Sequence, residues 1–363
     1  MLLLYRSCAQ GGHTPLVSRS SMSNIDMDTP RICILGAGVV GMTTASILQD
    51  KLRGCNITIV ADKFNTDTTS DVAAGIFRPG LSFRGPTPEV TQKWIDESWY
   101  YWQDILKTPA SPKAGVMQLS SYIFSKDNPN ITKNHLIENL VPIYRSVTKD
   151  ELNICGGNWK YGAYYSTVVI ESNIHLPYIE HKFINNGGKI VNENIGSFTS
   201  LAGKFDLVFN CTGLGAKKLC NDHDLVPIRG QVIKVKAPWL KTAFYGDYDT
   251  YIIPGFNGMA TLGGTRQYDS YRLDYCRHDA ASIYERCVEL VPSLKKAEVV
   301  SHKVGLRPHR TPVRVEAEFE SSGVKIVHCY GHGGYGVTCA PGTAMYAVKI
   351  GMDILKSNFR HKL

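Results

Sequence analysis

Short apolar runs and amphipathic stretches alternate along the chain, and the first of them form a recognisable unit. "RICILG", from Arg31, reads as a strand. In the following "AGVVGMTTASILQDKL", Val40, Thr44, Ile47, Leu48 and Leu52 can share one helical face, and "NITIVAD" is a second strand. That order predicts a βαβ unit starting near Arg31. Residues 65 to 85, rich in Thr, Asp, Gly and Pro, read as loop, and Thr91 to Leu106 ("TQKWIDESWYYWQDIL") as an amphipathic helix with a heavy aromatic load. Residues 111 to 170 alternate short strands and turns. "HLPYIEHKFINNGG" predicts a helix with a Gly-Gly cap, "KIVNENI" a strand, and "FDLVFNCTGLGA" an apolar strand entering a glycine turn. "GQVIKVKAPWL" alternates as a half-exposed strand does. "TYIIPG" and "ATLGGTRQY" are further strands, and "DAASIYERCVELV" is a helix. "KIVHCYGHGGYGVTCAPGTAMYAVKIGMDIL" is a strand, a glycine-rich loop and a C-terminal helix. βαβ signals stand at both ends, with antiparallel-looking strands between them. The pattern predicts an α/β nucleotide domain built from separated segments, with a mixed-sheet domain inserted.

Composition narrows the class. The chain has 363 residues, enough for two domains or one large one, and a formal charge of +8. No run of like charge and no basic–aromatic alternation points to nucleic acid, while a basic field suits a small anionic substrate. The ten cysteines are scattered without a C-x-x-C pair, and Cys33 and Cys211 lie inside apolar runs, which fits reduced, buried thiols. No apolar stretch approaches the roughly 18 residues of a membrane helix. Residues 1–29 form an extension with arginines and serines, expected to be disordered or targeting. The chain ends in "FRHKL", whose His361, Lys362 and Leu363 resemble a peroxisomal signal of the S-K-L type.

Glycine carries the next signal. "GAGVVG" places Gly36, Gly38 and Gly41 in G-x-G-x-x-G spacing after a strand and at the start of a helix. The first permits the tight turn, the second lets backbone approach a pyrophosphate, and the third lets helix and strand pack. The helix N-terminus then faces phosphate with unpaired N–H groups, and Asp62, ending the second strand, can accept from ribose hydroxyls. This motif alone fits NAD or FAD. "DTTSDVAAG" supplies hydroxyls and small residues where an extended dinucleotide would cross, "NCTGLGA" is a strand-then-glycine return, and both favour FAD. In "CYGHGGYGVT", Gly331, Gly333, Gly334 and Gly336 leave bare backbone before a helix, a place to stabilise negative charge on a reduced flavin ring. "KVGLRPHRTPVR", residues 303 to 314, holds cationic side chains between two prolines, a rigidity that suits gripping an anion.

Together "GAGVVG", "DVAAGIF", "NCTGLGA", "RGQVIKVKAPWL", "YIIPG", "TLGGT", "GLRPHRTPVRVE" and "YGHGGYG" resemble the D-amino-acid oxidase family, in order, from about Arg31 to about Leu355. The resemblance implies an α/β fold: a discontinuous Rossmann-like FAD-binding domain (30–80, 172–222, 300–358) with an inserted mixed-sheet substrate domain (81–171, 223–299) and a C-terminal targeting tail (359–363). It implies FAD contacts from Gly36, Ala37, Gly38, Val39, Val40 and Gly41. Further contacts would come from Asp62, Lys63, Thr68, Thr69, Ala74, Gly75, Ile76, Ile195, Thr212, Gly213 and Gly305. Gly333, Gly334, Tyr335, Gly336, Val337 and Thr338 would complete the set. Arg307 falls on the family's carboxylate-binding arginine, where a bidentate guanidinium suits a planar carboxylate. Tyr251 falls on its partner tyrosine, and the Gly334 carbonyl on the acceptor of the substrate amine. His309, Arg310 and Arg314 are expected to be structural. With both α-substituents held, a hydride passes to flavin and no side chain acts as base; oxygen returns hydrogen peroxide, and the imino acid hydrolyses to oxo acid and ammonia. A peroxisomal import receptor would be the protein partner of the C-terminal tripeptide, with cytoplasm as the alternative location.

Substrate choice turns on Arg266, in "TLGGTRQ". It resembles the acidic-substrate branch of the family, in which an arginine after "GGT" faces the side chain; a buried cation opposite an apolar side chain would stand unpaired. That branch often has another arginine before the "YIIPG" strand, where this chain reads "AFYGDYDTY" with no cation. Arg78, in "GIFRPG", is a candidate replacement. Asp247 would instead turn the preference toward basic D-amino acids, and the glycine loop reads as in the neutral branch. The reading that follows is an oxidase of D-aspartate and D-glutamate, with a neutral or basic D-amino-acid oxidase, or a non-catalytic flavin-binding protein, as alternatives.

Overall fold

The computed structural model describes residues 29–360; most of the expected N-terminal extension and the tripeptide at 361–363 lie outside the described residues. The first elements are β1 (Arg31–Leu35), α1 (Val39–Lys51), β2 (Asn56–Ala61), α2 (Thr69–Val72), α3 (Pro88–Leu106), β3 (Val116–Ser125), β4 (Tyr144–Ser146), β5 (Tyr161–Ile170) and α4 (Ser172–Asn185). They are followed by β6 (Lys189–Asn192), β7 (Leu207–Asn210), α5 (Ala216–Leu219), β8 (Val226–Lys236), β9 (Thr242–Tyr245), β10 (Tyr251–Pro254), β11 (Met259–Gly263) and β12 (Gln267–Tyr268). The chain closes with α6 (Arg277–Leu290), β13 (Glu298–Phe319), β14 (Lys325–His332) and α7 (Gly336–Arg360).

All described strands join one sheet, ordered β4-β5-β3-β9-β10-β11-β8-β13-β14-β7-β1-β2-β6, with β12 on β8. From β14 to β6 the neighbours are parallel; from β5 to β14 they are antiparallel except β3 with β9. The alternation in β1 explains how the parallel part is covered. Ile32 and Ile34 pack into a core with Met42, Ala45, Leu48 and α7 residues Ala340, Ala344 and Val348. Cys33 and Leu35 face the other way, onto Phe198, Leu201 and Val208. Period-two side chains therefore meet an apolar layer on each face. The antiparallel part packs Ile233, Val235, Ile252 and Leu262 against Ala280, Ile283, Cys287 and Leu290 of α6.

Several expectations change here. The loop at 65–85 contains the short helix α2. Helix α3 starts at Pro88, not Thr91, because Thr87 caps it: its side chain accepts from the Val90 amide at 3.3 Å. Residues 111–170 hold two ten-residue strands, β3 and β5, paired along their whole length. Strand β8 is buried on both faces from Pro227 to Ile233, and the expected alternation is confined to its end, where Lys234 and exposed Lys236 flank buried Val235. The rigid basic stretch is part of β13, 22 residues long, which pairs β8 before a bulge between His309 and Arg314 and β14 beyond it.

Candidate active site

At the nucleotide end the geometry is set by absent side chains. Gly36 takes φ +100°, a conformation reserved in practice for glycine, and its amide donates to the Val60 carbonyl at 2.9 Å. A Cβ on Gly41 would overlap the Gly36 carbonyl, so the first turn of α1 lies directly on the loop. The N-cap of α1 is Gly38 with no side-chain cap, and no acidic residue stands in the first turn. The positive end of this helix is thus left for an external anion. Ser70, leading into Asp71 of α2, reaches the same turn: its Oγ accepts from the Val39 amide at 3.1 Å. The Cys211 carbonyl lies against Gly36, Gly213 (φ +56°) faces Pro308, Gly305 packs on Val72, and Gly333 (φ +59°) lies beside His309. Thr212 is fixed by its hydroxyl, which donates to Asn210 Oδ1 at 2.7 Å. Asp62 is exposed at the end of β2, where Asn194 Nδ2 donates to it at 2.8 Å. Helix α7 also begins at a glycine without an acidic residue in its first turn. Bare backbone, two helix N-termini with no acidic residue in the first turn and an acidic acceptor fit an adenine dinucleotide. Ala37 and Val39 are buried within the α1 core, and Val40 packs against it.

Other expected cofactor residues have additional or different partners. Gly75 (φ +72°) allows Ile76 to bridge to Val169, because a Cβ there would overlap the Ile170 carbonyl; Ala74 packs against the same small cluster. Thr68 donates to the Asn65 carbonyl at 2.7 Å and Thr69 opens α2. Ile195 packs against the Phe198 cluster, and Lys63 is exposed. Val337 is buried, and Thr338 gives its carbonyl to Trp102 Nε1 at 2.9 Å. The Tyr335 ring packs edge-on to Phe83, with Ser82 donating to its hydroxyl at 3.3 Å.

The other end is built from side chains. Antiparallel pairing puts Arg307 opposite Ile228, two residues along from the Gly230–Gly305 pair, and the guanidinium lies over the bare backbone of Gly230 with Gly334 beside it. Its Nη1 donates to the Thr265 carbonyl at 3.0 Å. Tyr251 pairs with Gly263 on one side and Tyr245 on the other, and its ring covers Gly263 and Gly264. Burial raises the Tyr251 phenol above its ordinary pKa, and Arg307 beside it pulls the other way. The Arg78 guanidinium lies 4.6 Å from the centre of the Tyr245 ring, and that ring is 5.8 Å from Tyr251. Among the described residues, Arg78 Nε is buried without a hydrogen-bond partner. Arg266 ion-pairs Asp249, Nη2 to Oδ1, at 3.1 Å. His309 sits next to it: burial first, then the charge of Arg266, holds its imidazole below the ordinary value.

Several residues that support this arrangement have no motif to betray them. Arg229 is 2% exposed and holds Gln267 Oε1 at 2.9 Å and Asp279 Oδ2 at 2.8 Å, while the Gln231 amide donates to Thr265 Oγ1 at 2.9 Å. Arg266 is therefore flanked by two residues tied to β8. Asp247 Oδ2 accepts from the Lys126 amide at 2.9 Å, and its Oδ1 is buried without a hydrogen-bond partner among the described residues. Lys303 pairs with buried Asp71 of α2, coupling β13 to the nucleotide loop. Arg310 pairs with Asp222 at 2.8 Å, and Arg314 with Glu316 and Glu318.

Comparison with known proteins places this geometry. A family model described as FAD dependent oxidoreductase (DAO) matches residues 31–350. The chain is 36% identical over 329 residues to the human protein named D-aspartate oxidase, covering 89% of this chain and 95% of that one. It is 35% identical to the D-amino acid oxidase of Dugesia ryukyuensis, over 89% and 98% of the two chains. The crystal structure of glycine oxidase from Bacillus cereus superposes with a TM-score of 0.72 over 88% of this chain and 94% of that one; at 20% identity this likeness is one of fold.

Proposed function

The chain belongs to the FAD dependent oxidoreductase family, and from that premise we propose that it carries out the oxidative deamination of acidic D-amino acids, D-aspartate and D-glutamate. It is an FAD-dependent enzyme of D-amino-acid oxidation. FAD, when bound, would supply the two-electron acceptor for the substrate, with oxygen as the final acceptor. The products balance as imino acid and hydrogen peroxide, and water converts the imino acid to 2-oxo acid and ammonia.

The observation that carries the substrate class is a charge count. Arg307 acts on Tyr251 directly, Arg266 pairs with Asp249, which also acts on Tyr251, and Arg78 lies on the neighbouring Tyr245 ring; among the described residues one carboxylate, Asp249, pairs with one of these three guanidiniums. The surplus of cation matches a substrate with two carboxylates, and a neutral D-amino acid would leave part of it unanswered. In this reading Arg307 and the Tyr251 hydroxyl hold the α-carboxylate, the Gly334 carbonyl accepts from the amine, and Arg266 takes the side-chain carboxylate with Arg78 as the further cation. Gly36 to Gly41, Asp62, Thr212, Gly305 and the loop from Gly333 to Thr338 hold FAD. Residues 30–80, 172–222 and 300–358 form the FAD-binding part, and 81–171 with 223–299 the substrate part. Among the described residues no helix is long and apolar enough to cross a membrane. Peroxisomal residence through His361, Lys362 and Leu363, which an import receptor would read, completes the proposal and suits a source of peroxide.

A substrate panel tests it. Purified holoenzyme offered D-Asp, D-Glu, D-Ala and D-Arg should release peroxide fastest, per unit kcat/KM, with the two acidic substrates. Preference for D-Ala or D-Arg would overturn the acidic assignment and leave the oxidase standing.

A further inference from the structure

The ion pair between Arg266 and Asp249 joins the residue assigned to the substrate side chain with a carboxylate that belongs to the protein. We propose that Asp249 is an internal competitor: it occupies Arg266 as a substrate side-chain carboxylate would, must yield when a dicarboxylate enters, and thereby sets how strongly the site discriminates acidic from neutral D-amino acids. This rests on Arg266 being the side-chain contact.

The position of Asp249 is built and not incidental. Tyr248 and Asp249 are consecutive non-glycine residues in the left-handed region, at φ 58° and 56°, which the chain adopts only when surrounding bonds hold it there. Those bonds are present. The Gly264 amide donates to the Asp249 carbonyl at 2.7 Å, the Gly246 amide to Thr250 at 2.9 Å, and the Thr250 amide to Asp247 at 3.2 Å. Arg286 ties the two arms together, Nε to Thr250 Oγ1 at 3.1 Å and Nη2 to the Gly264 carbonyl at 2.9 Å. The β9–β10 turn and the loop carrying Arg266 are thus one unit, and the carboxylate of Asp249 is delivered to the guanidinium by backbone geometry.

The pair is also made to open. Its side chains are 44% and 42% exposed, and ion pairs so wetted contribute little and exchange readily. When a neutral substrate occupies the site, Arg266 keeps Asp249 and is not left unpaired, and among the described residues only Arg78 lacks a carboxylate. When D-aspartate enters, its second carboxylate replaces Asp249, which turns to water. Both classes are admitted, and the acidic preference is smaller than Arg266 alone would give.

The test is ligand binding followed by flavin absorbance on the holoenzyme, with succinate as a non-oxidisable dicarboxylate and propionate as its monocarboxylate control. Asp249→Asn should tighten succinate at least threefold more than it changes propionate, and the kcat/KM ratio of D-Asp over D-Ala should rise by a similar factor. In an Arg266→Gln background the same change should give no selective gain. Asp249→Gly removes the same carboxylate and suits the left-handed backbone, so it gives the same reading if Asn disturbs the turn. Succinate binding unchanged or weakened in both variants, or a gain that persists without Arg266, overturns the proposal. The acidic assignment fails by a separate result: wild-type enzyme that oxidises D-Ala better than D-Asp.

Discussion

The two ends of the site are made by opposite means. The nucleotide end works by subtraction: Gly36 and Gly41 bring a loop and a helix so close that a single Cβ would overlap backbone. The end proposed to take the substrate works by addition, with Arg307, Arg266, Arg78 and Tyr251 placed on β13, the β11–β12 loop, the segment after α2, and β10. Backbone recognition tolerates no substitution and makes no distinction among substrates. Side-chain recognition tolerates substitution and decides the substrate. Mutations at the two ends should therefore fail in different ways.

The largest effect is expected at the nucleotide end. Gly41→Val puts a branched side chain into the Gly36 carbonyl, so the purified variant should carry no flavin absorbance and show no activity with any substrate. A yellow, active Gly41→Val would break the comparison. Next is Arg307→Leu, which should retain FAD and lose turnover on acidic and neutral substrates alike. Removing one partner of a desolvated charge pair costs roughly 2–5 kcal/mol, on the order of 30- to several-thousand-fold in kcat/KM. Normal rates would return Arg307 to a structural role.

Arg266→Gln sharpens the comparison within the substrate end. A charged hydrogen bond contributes about 1.5–3 kcal/mol, and displacement of Asp249 brings the net to the lower end of that range. D-Asp should fall on the order of tenfold more than D-Ala. An equal fall would mean that Arg266 only holds its loop to β8. Arg78→Leu is the smallest: its guanidinium rests on the Tyr245 ring, and a selective loss on D-Asp of about two- to fivefold is expected, the scale of one partly exposed charge contact. No change in selectivity would remove Arg78 from the substrate contacts.

The same contrast governs what the sequence reveals. The turn at Gly36 to Gly41 is legible because its requirement is local: an apolar run, three glycines at fixed spacing, and a helix. Arg307, Tyr251 and Arg266 stand out only inside motifs that resemble a family. Strand β13 escapes periodicity because "VGLRPHRTPVR" mixes prolines and charges on both faces, and it is a strand because β8 and β14 pair with it. Strand β8 alternates only at its lysines, Lys234 and exposed Lys236, while Pro227 to Ile233 are buried, and Lys234 donates to Thr261 Oγ1 at 2.8 Å. The Arg266–Asp249 pair was out of reach because it depends on two left-handed residues in a turn, and "DYDTY" contains no glycine to announce them. Asp247, two residues before Asp249, gives one carboxylate oxygen to the Lys126 amide and keeps the other buried without a hydrogen-bond partner among the described residues.

The central claim is that the cations beyond Arg307, namely Arg266 and Arg78, read a second carboxylate, and the most direct test is the wild-type kcat/KM ratio for D-Asp over D-Ala, from peroxide release by FAD-saturated enzyme. One charged contact beyond the α-carboxylate clamp predicts a ratio on the order of ten or more. A ratio at or below one, with FAD fully bound, would contradict the account.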